Sequence, residues 1–522
     1  MGGTRLIGMV LALWVFATGA TAQTVASGMD AKPTADSLAL LMAQGHLRAA
    51  RDEAGHLVPG PIFNLGRIAI HSGPGFTAES MGLAAFSGEP ARAENLEAIG
   101  TRTRSWLLDH GFPFANVSLD FFVRGDTPVA DVLVAIESGS GYKFGGYKSS
   151  GSRTSAETLD RLSLLKFGED YSEARLRLAE GKLARTGYYE TVVPAGLFRD
   201  STRNLLYPSL VLSDLKGNRL SGILGYDSEK KGGDGLNGFM DIHLINLRGT
   251  ARDLDFTFDS KQTGAGVDSK DARLAYTEPW ILSSRVGARL NLAASIEDSV
   301  YDELRADLTF FQDLDFHSRF LVDLGRQFNH DFAAATRSEA DIAGLGFQYD
   351  ARDRVPATLN GARYSLRVNG VHRDQGDSAY YLVQSVDDFA LWANLGRWVL
   401  HTLVSAGGDW PLDSKADRGE LFALGGANTI RGFREREFLT DAYAYANLEL
   451  QFLLAPGSRA SLFVVPGLIN RLGGDIRWRR VIGYGAGLES GSKDWTFGIS
   501  YALNPDRAPA DGFIHLSVSN NF

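Results

Sequence analysis

The residues best suited to chemistry lie in "LFALGGANTIRGFREREFL", residues 421–439. Two adjacent glycines, Gly425 and Gly426, precede the triplet Arg431, Gly432 and Phe433, and the stretch is too polar and too glycine-rich for a core strand. A guanidinium at the tip of such a loop has one strong use, a charge-assisted and bidentate contact with a carboxylate. Two carboxylates qualify by parity. After the loop, Asn447, Glu449 and Gln451 alternate with Leu448, Leu450 and Phe452, so Glu449 lies on a wet face. In "VIGYGAGLES" the residues Gly483, Gly485, Gly487 and Glu489 share one face, opposite Ile482, Tyr484, Ala486 and Leu488. Three glycines clear a groove ending in a carboxylate. Arg431 is therefore expected in that groove, paired with Glu489 first and Glu449 second, with Phe433 packed on bare glycine backbone.

Other chemistry is not signalled. The 10 histidines are scattered without the i, i+4 pair that zinc helices carry, and no P-loop or G-x-S-x-G elbow occurs. The glycines of "GYGAGLES" have no βαβ setting for a dinucleotide. With 0 cysteines, disulfides and thiolate metal sites are excluded. The expectation is no enzyme, no cofactor and no metal. A net charge of -9 without a basic cluster argues against nucleic acid as a partner.

Residues 1–22 read as a signal peptide: Arg5, an apolar run from Leu6 to Phe16, then Ala20-Thr21-Ala22, placing the mature start near Gln23. Beyond it no window reaches the ~18 apolar residues of a spanning helix. Residues 23–59 are Ala-rich and helix-prone, a linker, a plug helix or part of a module. Residues 60–139 switch from strand to helix to strand, with Leu96, Ile99, Trp106 and Leu107 on one helical face stopped at Gly111, an order of β-α-α-β-β. The same order recurs over 140–214, where Thr154 to Glu157 fits a capping box and a second helix ends at Gly187. Each module should offer a sheet edge suited to binding extended peptide.

From 216 to 522 the helical period disappears into alternating segments of about ten residues, the pattern of a membrane barrel. In "RDLDFTFDS", Leu254, Phe256 and Phe258 face away from Asp253, Asp255, Thr257 and Asp259. Roughly sixteen such segments can be counted, an even number as bacterial barrels require. Their starts run from near Arg219 to near Ile514, and the last ends at Phe522. The predicted fold class is α+β modules followed by an all-β, 16-stranded transmembrane barrel.

Tandem β-α-α-β-β modules, a barrel and "LGGANTIRGF" between the eleventh and twelfth segments together resemble the BamA/TamA superfamily of outer-membrane assembly and secretion proteins. The resemblance covers about 60 to 522. "FQYDARDRVPATLNGARYSL", with Asp350, Arg352, Asp353, Pro356 and Gly361, and "NLELQFLL", with Glu449, are similar to family segments. Val465 stands where the family commonly has an aspartate. The resemblance implies that the modules are POTRA domains, that the loop folds back into the barrel, and that Phe522 is a C-terminal assembly signal. It also implies an outer-membrane location with periplasmic modules, unfolded outer-membrane or secreted polypeptides as clients, contact with outer-membrane lipid, and a periplasmic or inner-membrane accessory protein. A weak seam between "LSGILGYDSE" and "GFIHLSVSNN", eased by Gly222, Gly225 and Gly512, would let client strands add. The alternatives are a two-partner secretion transporter with a plug helix at 34–55, and a passive pore.

Overall fold

A computed structural model describes residues 35–72, 75–216, 218–226, 236–262, 268–297, 300–332, 335–355, 357–376, 378–410, 421–434, 436–455, 457–470, 478–491 and 495–520. The expected signal peptide, Gln23, Pro356 and Phe522 lie outside these residues. The chain forms two compact units, one of residues up to 105 with 116–137, the other of 106–115 with 138 onward.

The first unit begins with α1 (Ala35–Ala43) and a small hairpin, β1 (Ala50–Arg51) and β2 (Leu57–Val58). This segment packs against the start of the first module: Phe63 N–H donates to Gly45 O (2.9 Å), and the Arg48 guanidinium lies 5.7 Å from the Phe63 ring. Then come β3 (Asn64–His71), a 3₁₀ turn (Leu83–Phe86), α2 (Ala93–Asp109), β4 (Asn116–Val123) and β5 (Val129–Glu137). The sheet order is β3-β5-β4, with β3 parallel and β4 antiparallel to β5. Strict alternation buries Ala130, Val132, Val134 and Ile136 of β5 on the helix side with Phe63, Leu65 and Ile99. The first of the two expected helices is only the 3₁₀ turn, because Gly82, Gly88 and Pro90 leave too little chain between them to nucleate one.

The second module opens with β6 (Lys143–Phe144) and β7 (Lys148–Ser150), one expected strand broken where Gly146 turns at φ 92°. It continues with α3 (Ala156–Ser163), α4 (Glu173–Arg185), β8 (Tyr189–Asp200) and β9 (Leu205–Asp214). The cap of α3 is Ser155, whose hydroxyl accepts from Thr158 N–H, rather than Thr154. Thr154 instead bonds Tyr189 and Asn246. Phe144, Leu159, Leu183, Leu206 and Leu210 form a fully buried core.

Sixteen antiparallel strands follow in one sheet. They are β10 (Arg219–Tyr226), β11 (Leu236–Leu244), β12 (Asp253–Gln262), β13 (Asp268–Glu278), β14 (Val286–Glu297), β15 (Tyr301–Asp313), β16 (Ser318–Asp331), β17 (Thr336–Asp350), β18 (Gly361–Asp374), β19 (Ala379–Leu395) and β20 (Trp398–Trp410). A small hairpin, β21 (Phe422–Leu424) and β22 (Phe438–Thr440), interrupts the series. The barrel then resumes with β23 (Ala442–Ala455), β24 (Ser458–Asn470), β25 (Trp478–Gly491), β26 (Trp495–Leu503) and β27 (Phe513–Asn520). Among the described side chains one face of the sheet is apolar yet exposed, as at Leu324, Leu448, Leu450, Leu462 and Leu488. The other buries polar groups, as at Asp323, Gln327, Arg373 and Asp409. That inversion belongs to a barrel in lipid with a polar interior. Among the described residues no helix is long and apolar enough to cross a membrane.

The second module is bolted to the near-end turns of the barrel. Lys182 of α4 meets Asp313 at 3.0 Å, and Asp313 also holds Arg319 at 2.7 Å. Arg185 donates to Phe316 O (2.8 Å), and the Tyr188 hydroxyl donates to Asp253 (2.9 Å). Burial lowers the Lys182 ammonium below the usual lysine range and raises the Tyr188 phenol above its own.

Candidate functional site

The loop between β20 and β23 folds inward, carried by the β21–β22 hairpin. Its tip seats against three strands whose registers line up. Glu449 of β23 lies opposite Phe463 of β24, and Phe463 lies opposite Gly485 of β25. The Arg431 guanidinium stacks 3.5 Å from the centre of the Phe463 ring. Its Nη2 donates to Glu449 Oε2 (2.7 Å) and to Asn447 Oδ1 (2.6 Å). The two charged side chains are only 13% and 12% exposed, so the pair is largely withdrawn from water. Gln451 Nε2 donates to the second Glu449 oxygen at 3.0 Å, which leaves the carboxylate satisfied on both sides.

The glycines serve this arrangement in two ways. At Gly483 a Cβ would overlap the Arg431 carbonyl oxygen, so the missing side chain is what lets the loop's main chain touch the wall. At Gly485 a Cβ would stand 2.6 Å from Phe463 Cζ, so that glycine seats the ring beneath the guanidinium. Gly432 turns at φ 95° and is held from the far side, its carbonyl accepting from Asn504 Nδ2 at 2.6 Å. Gly425 (φ 109°) and Gly426 (φ 100°) turn the chain at the loop's base. Phe433 is buried and meets Phe438 edge-on at 4.9 Å. Ile430, Phe433, Tyr443, Tyr445, Phe463, Val465 and Val481 make one apolar cluster inside the barrel.

The preferred pairing with Glu489 is corrected. The loop crosses β25 at Gly483, and Glu489 lies six residues further along that strand, about 20 Å away. Glu489 is half exposed and stands opposite Arg459, 3.9 Å away. Phe433 packs on aromatic rings rather than on the glycine backbone, a position the Arg431 main chain takes instead. Val465, fully buried opposite Gly483, contributes packing and no charge. Asn447, Phe463 and Asn504 belong to the site and were not singled out from sequence.

The wall itself has a discontinuity. The Cα traces of β10 and β27 approach within 8 Å, yet among the described residues no ladder joins them. Gly222 and Gly225 lie in β10, and Gly512 immediately precedes β27.

Solved structures share this architecture. CdiB from Escherichia coli is 14% identical with a TM-score of 0.56, over 95% of this chain and 100% of that one. CdiB from Acinetobacter baumannii is 14% identical with a TM-score of 0.54, over 89% of this chain and 90% of that one. What is shared is the fold, small α/β modules ahead of a sixteen-stranded antiparallel sheet. BamA from Haemophilus ducreyi lacking POTRA domains 1–3 is 18% identical with a TM-score of 0.46, over 88% of this chain and 99% of that one. No family model matches the chain, and no curated protein matches it significantly.

Proposed function

We propose that this protein resides in the bacterial outer membrane with its modules in the periplasm, where it takes unfolded polypeptide and inserts it into, or passes it across, that membrane. The observation that carries this reading is the pairing of a latched lumen with an unzipped wall. The Arg431 loop is held inside the barrel against β23, β24 and β25, while among the described residues β10 and β27 lie side by side without a ladder. An unpaired strand edge in hydrocarbon is costly, several kcal/mol per unsatisfied group, and a client strand added there would satisfy it. The modules supply edges of the same kind: β4 carries exposed Phe121 and Phe122, and β8 carries exposed Val193 and Phe198. Phe522 is proposed as the signal for the protein's own assembly, because a lipid-facing C-terminal aromatic has that role in the superfamily that the sequence resembles.

The second reading, a two-partner secretion transporter, is favoured by the fold shared with CdiB, a transporter of that kind. Quantitative comparison of outer-membrane and secreted proteomes with and without the gene separates the readings. Broad loss of barrel proteins supports insertion, and loss of one exoprotein supports dedicated secretion. Unchanged proteomes with steady large conductance in planar bilayers would leave a passive pore.

A further inference from the structure

The outer wall of the barrel is not evenly convex. Between β20, β23, β24 and β25 it carries an apolar groove of about 580 Å³, within the roughly 300–1,000 Å³ typical of ligand sites. Its cause is local. Pro466 sits in the middle of β24, where it has no N–H to give, and the β23–β24 ladder parts between Tyr445↔Gly467 and Leu448↔Val464. Opposite it the outward residues of β23 are small, Ala444 and Ala446, while Val404, Leu468 and Ile482 rise as walls and are each about two-fifths exposed. The floor is Gly467, with Ile430 of the loop directly behind it inside the barrel.

One charge borders this groove. Arg480 pairs across the ladder with Leu468 and shares the outward parity of Trp478 and Ile482. It is exposed, and among the described residues it makes no hydrogen bond or ion pair. It lies two residues inside Trp478, and Trp478 and Trp410 (48% and 52% exposed) mark the rim on the side away from the second module, where an aromatic girdle sits at the headgroup level. An arginine on the lipid face at that depth reaches headgroup phosphate, its stem lying on apolar wall.

We infer that this groove is a binding site for a lipid with an anionic phosphate headgroup, one acyl chain lying over Ala444, Ala446 and Gly467 and the phosphate held by Arg480. Volume alone would accept any chain. A cation with no partner among the described residues, at the mouth of an otherwise apolar groove, selects the anionic lipid over a zwitterionic one. A single basic residue near a membrane surface contributes about a fivefold preference.

The test is native mass spectrometry of the full-length, detergent-purified chain titrated with phosphatidylglycerol and, separately, phosphatidylcholine of the same acyl composition. One retained lipid with about fivefold preference for phosphatidylglycerol is expected. Arg480→Gln should equalise the two lipids without abolishing retention, and Ala446→Leu, which fills the groove opposite Pro466, should abolish it. Heat-modifiable migration on gels confirms that each variant is folded, and Ala444→Ile serves as a second filling variant should Ala446→Leu not fold. Equal retention of both lipids by the unaltered chain, retention unchanged in folded filling variants, or a second copy of the chain in place of the lipid would overturn the assignment.

Discussion

Removing the Arg431 side chain should unlatch the loop without unfolding the barrel. Arg431→Ala deletes the 2.7 Å contact to Glu449, the 2.6 Å contact to Asn447 and the stack on Phe463 at 3.5 Å. It leaves Glu449, 12% exposed, with Gln451 as its remaining hydrogen-bond partner among the described residues. Stranding one member of a buried pair costs ~3–5 kcal/mol, and the lower end applies in a hydrated lumen. About 3 kcal/mol multiplies the open-to-latched ratio by on the order of 10². Hydrogen exchange at residues 421–439 and extracellular protease cleavage at Arg434 read that ratio directly. Glu449→Ala should match Arg431→Ala, the double variant should be no worse than either, and Glu489→Ala should leave the loop protected. Additive losses in the double variant, or a Glu489→Ala effect equal to that of Glu449→Ala, would refute the latch.

Gly483→Ala should displace the loop tip by overlap with the Arg431 carbonyl, an overpacking cost of ~1–3 kcal/mol, seen as faster exchange at 421–439 while heat-modifiable migration persists. The Lys182–Asp313–Arg319 cluster should respond asymmetrically. Asp313→Ala strands Lys182, 15% exposed, and costs up to ~3 kcal/mol, whereas Lys182→Met leaves Asp313 with Arg319 and costs under ~1 kcal/mol, both read as exchange protection over α4. In the first unit, the side-chain hydrogen bond from Arg124, aided by Arg67 N–H, holds the Asp131 carboxyl below its ordinary 3.8. The stability that this contributes is present above pH 3.8 and lost as pH falls through the depressed folded value. Arg124→Gln should therefore bring the Asp131 titration, followed by its carboxyl NMR shift, back up toward 3.8.

Strand count, strand positions and facing were legible because a period of two leaves no ambiguity once one side must meet lipid and the other water. Expected starts near Val286 and Arg219 coincide with β14 and β10, and the odd faces of β23 and β25 do turn inward. Parity says which face a residue occupies but not how far along the strand a loop will land, which is why Glu489 and Glu449 could not be separated. The missing step was register. Glu449 stands opposite Phe463 and Phe463 opposite Gly485, but a register shift between Leu453 and Ala455 moves the β23–β24 pairing by one, so counting back from the Ala455↔Ser458 pair would have set Glu449 against Val464 and missed the row of carboxylate, ring and glycine. Asn504 could not have been found this way, because it acts from beyond the end of β26 on a carbonyl that sequence gives no reason to notice. The helix expected in the first module failed for a local reason, the glycines and the proline that close the segment around 83–86.

The hydrogen bond from Asn504 to the Gly432 carbonyl spans 72 residues, and this sets an order of events. The loop emerges long before the strands that receive it: Phe463, Gly483 and Asn504 are made later, and contacts between distant residues are slow to form. The tip can take its final seat only when the fifteenth of sixteen strands is in place. A barrel interrupted short of residue 504 would carry a dangling loop open to proteases, and a completed one would withdraw it. The latch thus doubles as a record of maturity, by which quality control could tell a finished molecule from an arrested one.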